Sequence, residues 1–179
     1  MDPLEIIYDH FRRGSLQADI LIQHSEQVRA KALAVAGRVA EMQPDMEFID
    51  QAAMLHDIGI CRIAAPRIQC LGLRPYICHG VIGRQILEQY GLDHHGLVCE
   101  RHVGAGISSE EIRRHSLPLP LREMLPITIE EIIICYADGF FSKTALGTTH
   151  SLAQVQADHA RHGKEQLSRF MQWHALFSR

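Results

Sequence analysis

The stretch MLHDIGICR places a histidine and an aspartate, His56 and Asp57, side by side where an apolar helical pattern ends. Taken alone, the histidine could cap its helix and the aspartate could pair with an arginine such as Arg62. Further polar residues stand among small or apolar neighbours in the same way, namely His24, His79, His102 and Asp138. This repetition calls for one common explanation.

Burial of these side chains would be unfavourable if each remained unpaired. One unpaired buried polar group costs about 1 to 3 kcal/mol, and a buried carboxylate without a counter-charge costs far more. The cost becomes a gain in binding free energy if the side chains meet around metal ions, because imidazole and carboxylate groups bind divalent transition metals. We therefore predict the following metal ligands: His24, His56, Asp57, His79, His102 and Asp138.

The elements that carry these residues have helical patterns throughout. Apolar residues recur at helical spacing, no stretch alternates as a strand does, and capping residues, glycines and prolines separate the segments. We therefore predict an all-α fold, with residues 60–74 forming a loop. The predicted helices cover about 3–13, 16–41, 46–56, 75–90 and 93–102, a short helix after Ser108, one after Thr128, and 151–177 with a break near Gly163.

Length and composition favour a single domain over residues 1–179, with the ligand motifs in 24–138 and a C-terminal helical extension over 144–179. The chain is 46% hydrophobic and 22% charged, which suffices for a sizeable core. A formal net charge of -3 provides no basic field for a nucleic-acid backbone, so we expect no polymeric nucleic acid as a partner. The sequence does not indicate an oligomeric state.

The cysteines and the N-terminus indicate the compartment. The 5 cysteines are odd in number and form no C-x-x-C pair, which disfavours a disulfide framework. The longest apolar run, IIICYA, is too short to span a membrane, and no basic segment precedes an apolar one at the N-terminus. We expect a cytoplasmic protein that does not cross a membrane.

Five segments carry the candidate ligands: HSEQVRAKAL, MLHDIG, ICHGVIGRQIL, VCERHVGAGI and IIICYADGFFSK. Their order over residues 24–143 resembles the HD-domain superfamily of metal-dependent phosphohydrolases, which are all-helical. Members with two additional histidines between the His-Asp pair and the last aspartate hold two metals, and His79 and His102 match those positions. The chain is similar to the small single-domain members that include the diadenosine tetraphosphate hydrolases.

The resemblance implies two divalent transition-metal ions, for which iron, manganese, cobalt, nickel and zinc suit the ligand set. Two such ions carry more charge than Asp57 and Asp138 return, so the centre should attract phosphate. We expect metal-bound hydroxide to cleave a phosphoester or phosphoanhydride of a nucleotide-like small molecule, with Asp57 orienting the hydroxide or taking its proton. Lys143, placed on the same helix as Asp138, and the loop residue Arg62 are candidates for substrate binding. Arg67, in the same loop, could also line the mouth of the cleft.

Several alternatives remain open. The chain could be a non-catalytic HD module that binds metal and senses a nucleotide. His79 and His102 could instead be core histidines bonded to backbone carbonyls, which would leave a single-metal site. Arg101 could pair on the surface with Glu100 or Glu88. The remaining histidines are assigned to the surface: His10, His115, His150, His159, His162 and His174.

Overall fold

The computed structural model describes residues 1–178. α-Helices dominate this range, and its strands are only a two-residue antiparallel pair, so the all-α prediction is confirmed. The helices are α1 (Pro3–His10), α2 (Leu16–Arg38), α3 (Met46–Leu55), α4 (His79–Glu88), α5 (Asp93–Arg101), α6 (Ser109–Arg114), α7 (Ile129–Asp138), α8 (Leu152–His162) and α9 (Lys164–Phe177). The strands are β1 (Ala64–Ala65) and β2 (Cys70–Leu71).

Side-chain caps fix the starts of most helices, because each cap accepts a hydrogen bond from a backbone N–H of the first turn. The capping residues are Asp2, Ser15, Asp45, Ser108, Thr128 and Ser151. The predicted break at Gly163 is present, since this glycine has a φ of 131° between α8 and α9. α2 ends at Arg38 and not near residue 41, and residues 40–42 form a separate 3₁₀ turn.

The segment between α3 and α4 contains more regular structure than the loop that its sequence predicts. Residues 58–62 and 66–68 form 3₁₀ turns, and β1 pairs with β2 around the second turn. Another 3₁₀ turn precedes α4, which begins at His79 and not at Pro75. Such short turns contain too few residues to show an apolar period, so the sequence pattern could not reveal them.

The helices pack around two large apolar clusters. One includes Val28 of α2 together with residues of α3, α7 and α9. The other includes Leu21 of α2 together with residues of α1, α4 and the turn after α3. α2 therefore contributes to both clusters, and His24 lies on this helix between the two contributions.

No helix within residues 1–178 is both long enough and apolar enough to cross a bilayer. All five cysteines are free, and burial raises the pKa of Cys99 and of Cys135 well above the usual thiol range. Both thiols donate to backbone carbonyl groups, Cys99 to Leu55 and Cys135 to His102. These two cysteines are thus packed core residues.

Candidate metal centre

The predicted ligands converge from five helices. His24 lies in α2, His56 and Asp57 follow α3, His79 begins α4, His102 follows α5, and Asp138 ends α7. All are buried except Asp138, whose side chain is 19% exposed. The structure thus brings together residues that are up to 114 positions apart in the sequence.

The end of α3 allows two adjacent residues to face one centre. Neighbours within an α-helix point about 100° apart, so His56 and Asp57 would diverge if the helix continued. Instead Asp57 leaves helical geometry, with φ -107° and ψ 9°, and a 3₁₀ turn over 58–62 follows. The change of backbone at Asp57 turns its carboxylate toward the same centre as the His56 ring.

Gly59 has a different role from the helix stop that its position suggests. A Cβ atom at Gly59 would lie 2.0 Å from the carbonyl oxygen of His79 and 2.5 Å from the backbone nitrogen of Gly83. Only glycine therefore permits this close approach of the turn to α4. The approach places His79 beside Asp57.

One group of ligand atoms surrounds the Oδ2 atom of Asp57. This oxygen lies 3.2 Å from His24 Nε2 and 3.1 Å from His56 Nε2. Asp138 Oδ1 lies 3.0 Å and 3.6 Å from the same two nitrogens. Both Nε2 atoms are buried without a hydrogen-bond partner among residues 1–178. Four ligand atoms that lie within 4.8 Å of one another could therefore hold one metal ion.

A second group surrounds Asp57 Oδ1, which lies 3.3 Å from His79 Nε2 and 3.5 Å from His102 Nε2. The two Nε2 atoms are 3.2 Å apart. The Nδ1 atoms donate instead to backbone carbonyls, His79 to Tyr76 at 2.7 Å and His102 to Cys99 at 2.8 Å. A neutral imidazole has one N–H, so both Nε2 atoms carry lone pairs that face each other and a carboxylate oxygen. A cation among these three acceptors would remove the repulsion.

The orientation of the rings favours metal binding at the first group as well. His56 Nδ1 donates to the carbonyl of Ala53 at 2.7 Å, which directs its Nε2 atom at Asp57. Backbone acceptors of this kind commonly fix the tautomer of metal-binding histidines. Such bonds also suit a structural histidine. At His56 the Nε2 atom faces two carboxylates, a position where either a proton or a metal ion supplies the positive charge.

The charges in the centre favour bound cations. Burial lowers the pKa of His56, but Asp57 and Asp138 outweigh this effect and raise it to about 10. At His79, burial outweighs the nearby carboxylate and lowers the pKa to about 4. Burial raises the pKa of Asp57, yet the Lys143 ammonium and His56 hold it well below its usual range. The carboxylates thus remain charged in the interior and stabilise positive charge beside them.

Lys143 lies at the centre, although in the loop after α7 and not on the helix as predicted. Its ammonium group forms an ion pair with Asp57 Oδ2 and donates to the Tyr76 hydroxyl at 3.3 Å. A cavity of about 730 Å³ opens beside Asp138 and Lys143. A cation therefore stands where a phosphate could enter.

Arg62 is not brought to this cavity. It lies with Arg74 at a separate cavity of about 340 Å³, because the 3₁₀ turn over 58–62 and the β1–β2 pairing direct it away from the centre. Arg67, from the following turn, lines the larger cavity instead. The sequence indicated both arginines of this loop as candidates for the mouth of the cleft, and the structure brings only Arg67 to the larger cavity.

His159 is buried and not on the surface as predicted. It is 5% exposed, and its ring stacks on Phe170 of α9 with 4.6 Å between the ring centroids. The spacing of Val155 and His159 on one face of α8 was the available signal, because residues four apart on a helix share a face.

The alternative in which Arg101 pairs on the surface with Glu100 or Glu88 is also wrong. Arg101 donates to Glu131 of α7 at 2.8 Å and 3.0 Å. Glu100 and Glu88 both pair with Arg84 instead. The packing of α5 against α7 directs Arg101 inward, a contact that local spacing does not encode.

Comparisons with known proteins identify the family of the chain. A family model for the HD domain matches residues 21–142, so the chain belongs to the HD domain family. This family is part of a superfamily of metal-dependent phosphohydrolases. An uncharacterised protein of Methanocaldococcus jannaschii is 36% identical over 135 residues, which cover 73% of this chain and 71% of that protein. No solved structure matches the chain.

Two further relatives carry functional names. A tRNA (cytidine(56)-2'-O)-methyltransferase of Thermoplasma volcanium is 37% identical over 126 residues, which cover 70% of this chain and 32% of that protein. A methyltransferase of the same name from Picrophilus torridus is 36% identical over 126 residues, which cover 69% and 32%. The chain thus spans about a third of the length of these methyltransferases.

Proposed function

We propose that the protein is a phosphohydrolase that holds two divalent transition-metal ions and cleaves a phosphoester or phosphoanhydride of a nucleotide-like small molecule. The observation that carries this proposal is the position of Asp57, whose two oxygens face separate groups of imidazole nitrogens. Divalent ions in these groups would supply Lewis acidity, which polarises phosphoryl oxygens and acidifies water. Iron, manganese, cobalt, nickel and zinc are the candidates.

The residues of the chain take distinct roles in this proposal. The residues around Asp57 Oδ2 would hold one ion, and His79 and His102 would hold the second, with Asp57 shared. Asp57 is also the catalytic carboxylate, placed to orient the attacking water or accept its proton. The Lys143 ammonium, held between Asp57 and Tyr76, would bind phosphoryl oxygens at the inner end of the cavity.

The cavity supports a small phosphorylated substrate. Its volume of about 730 Å³ falls in the usual range for small-molecule sites. Its lining is rich in groups that suit an anion, including Arg67, Lys143 and Arg161, with His150 nearby. These cations offset the Asp138 and Asp158 carboxylates that share the lining, so a phosphorylated molecule would meet favourable charge.

A nucleotide within RNA is a second candidate substrate. Two relatives are named tRNA methyltransferases, whereas the expectation against polymeric nucleic acid rests on a net charge of -3 and on arginines that are scattered along the chain. The same hydrolytic chemistry would apply to a phosphoester in either substrate. The non-catalytic, nucleotide-sensing module remains the alternative to both.

A hydrolysis screen tests the proposal. Purified protein of known metal content is assayed against dinucleoside polyphosphates, mononucleotides, simple phosphomonoesters and tRNA. We expect cleavage of at least one nucleotide substrate, loss of cleavage after chelation, and recovery when metal is restored. Absence of cleavage by protein that carries both ions and binds a nucleotide would support the sensing module instead.

A further inference from the structure

α8 lies beyond the residues that the HD family model matches, yet it forms one wall of the cavity beside Asp138. His159 belongs to this wall and is 5% exposed. Its ring lies nearly parallel to that of Phe170, with 24° between the planes. The imidazole is therefore held in one orientation at the cavity wall.

The hydrogen-bonding state of His159 follows from its surroundings. Nδ1 is buried and has no hydrogen-bond partner within residues 1–178. Burial lowers the pKa of His159, so the ring is neutral at neutral pH and carries one N–H. A proton on Nδ1 would be a buried donor without an acceptor, which is unfavourable, so the proton belongs on Nε2. Nε2 lies 3.5 Å from where a Cβ atom on Gly139 would be.

This geometry gives the cavity a fixed donor close to the metal centre. Gly139 directly follows Asp138, and both residues line the cavity together with His159. The donor is not needed to hold either ion. A substrate whose phosphate lies at the centre would present its attached group to this part of the wall.

We propose that His159 recognises the nucleoside part of a phosphorylated substrate, donating from Nε2 to an oxygen of the group attached to the phosphate. This inference rests on the proposed function, because it takes the phosphate to bind at the metal centre, and it extends that function to the rest of the substrate. A phosphate alone would fill little of about 730 Å³. The aromatic rings of Tyr76 and Phe141 and the amide of Gln154 also line the cavity, and this combination suits a base and a sugar.

Binding of two matched probes tests this inference without requiring turnover. One probe is methylphosphonate, and the other is a nucleoside 5′-methylenephosphonate, in which carbon replaces the ester oxygen so that no hydrolysis occurs. The second probe is used with each of the four common bases, and calorimetry on metal-loaded protein gives the dissociation constants. We expect the tightest nucleoside phosphonate to bind wild-type protein about tenfold or more tightly than methylphosphonate.

His159→Phe keeps a ring that can stack on Phe170 but removes the N–H. We expect it to reduce the preference for the nucleoside probe by about tenfold, the scale of one lost hydrogen bond. Metal content and methylphosphonate binding should persist. His162→Phe is the matched control, because His162 is exposed on the same helix and does not line the cavity. This control should leave the preference for the nucleoside probe, the metal content and the binding of methylphosphonate unchanged.

A second variant keeps the test decisive if His159→Phe does not fold. Gly139→Ala leaves the imidazole intact and places a methyl group in ordinary contact with Nε2, so it should weaken the same preference. The inference is overturned if wild-type protein does not prefer the nucleoside probe, if the preference survives in the folded variants, or if both probes weaken equally. Absence of hydrolysis would count against the proposed function alone, since these constants do not depend on turnover.

Discussion

At the scale of single residues, Asp57 determines the character of the centre. Its side chain is fully buried, and each carboxylate oxygen faces a different pair of imidazoles. The Lys143 ammonium contacts the same carboxylate. Asp57 therefore links the two groups of ligands to each other and to the cation at the cavity.

Replacing Asp57 by Asn should remove the shared charge while retaining the size of the side chain. We expect Asp57→Asn to lose at least half of the bound metal and to lower kcat/KM by about 10²- to 10³-fold, the range for loss of one strong electrostatic contact in an active site. Elemental analysis and phosphate release measure the two effects. Asp158→Asn, an exposed carboxylate that lines the same cavity, is the control. Normal activity of folded Asp57→Asn protein would refute the catalytic role.

His79 and His102 determine how many ions the protein binds. Wild-type protein loaded with metal should approach two ions per chain, whereas His79→Ala and His102→Ala should each approach one, because each removes one of three ligands in the second group. His94→Ala, at an exposed position of α5, should retain both ions. Elemental analysis of dialysed protein gives the stoichiometry. One ion in the wild type under metal excess, with both variants fully active, would establish a single-metal centre.

At the scale of elements, glycines bring α4 unusually close to its neighbours. A Cβ atom on Gly80 would lie 2.5 Å from the carbonyl oxygen of Cys99, and one on Gly83 would lie 2.9 Å from the Cys99 Cβ. Together with Gly59 on the opposite side, these residues hold α4 between α5 and the turn after α3. The position of His79 is thus set by backbone contacts.

Gly59→Ala should therefore destabilise the fold. The added methyl group would overlap backbone atoms that cannot rotate away, so we expect a loss of about 3 kcal/mol in the free energy of unfolding. Urea unfolding measures the loss. Gly37→Ala, in α2 with open space around the added methyl group, should be neutral or stabilising by up to about 1 kcal/mol. Equal stability of the two variants would show that α4 can move away at little cost.

The sequence predicted the helices and singled out the candidate ligands because both leave local signals. Helix caps and apolar periods lie within a few residues of each other, and a polar residue such as His24 in an apolar stripe is visible from its neighbours. The partner of Arg101 and the burial of His159 depend on contacts between distant segments. No local pattern encodes the direction of Arg62 either, since short 3₁₀ turns and a two-residue strand set it.

At the scale of the whole molecule, buried polar contacts tie α9 to the segment before α6. Gln166 accepts a hydrogen bond from the backbone of Ala105 and donates to the carbonyl of Gly106, both at 2.6 Å. Arg169 donates to the same carbonyl at 2.8 Å and pairs with Glu111 at 2.9 Å. α9, which packs against the α8 wall of the cavity, is therefore anchored to the segment that follows the ligand His102.

Glu111 should make this anchor sensitive to acid. Burial raises the pKa of Glu111, but hydrogen bonds from Ser108 and Gln166 and the charge of Arg169 outweigh this and lower it. A group with a lowered pKa in the folded state stabilises the protein above its unfolded pKa, and this contribution is lost as the pH falls through the folded value. Glu111→Gln should thus cost about 1 to 3 kcal/mol at pH 7.

The difference in the free energy of unfolding between wild type and Glu111→Gln should shrink as the pH falls below the ordinary glutamate pKa of about 4.3. Urea unfolding at a series of pH values gives this difference directly. Glu110→Gln, at the exposed neighbouring position, controls for the general effect of removing a negative charge. A difference that stays constant with pH would show that the shape of the side chain matters and its charge does not.

The glycine contacts of α4 also bear on which ions the centre can accept. His79 begins α4 and His102 follows α5, and the backbones of these helices are in contact. Each Nδ1 atom also bonds a backbone carbonyl, so the main chain restrains the 3.2 Å between the two Nε2 atoms. Metal–nitrogen bonds of about 2.0 to 2.1 Å suit small divalent ions such as zinc. A larger ion would have to push the helices apart. The backbone would then favour ions of small radius, even among metals that prefer the same donor atoms.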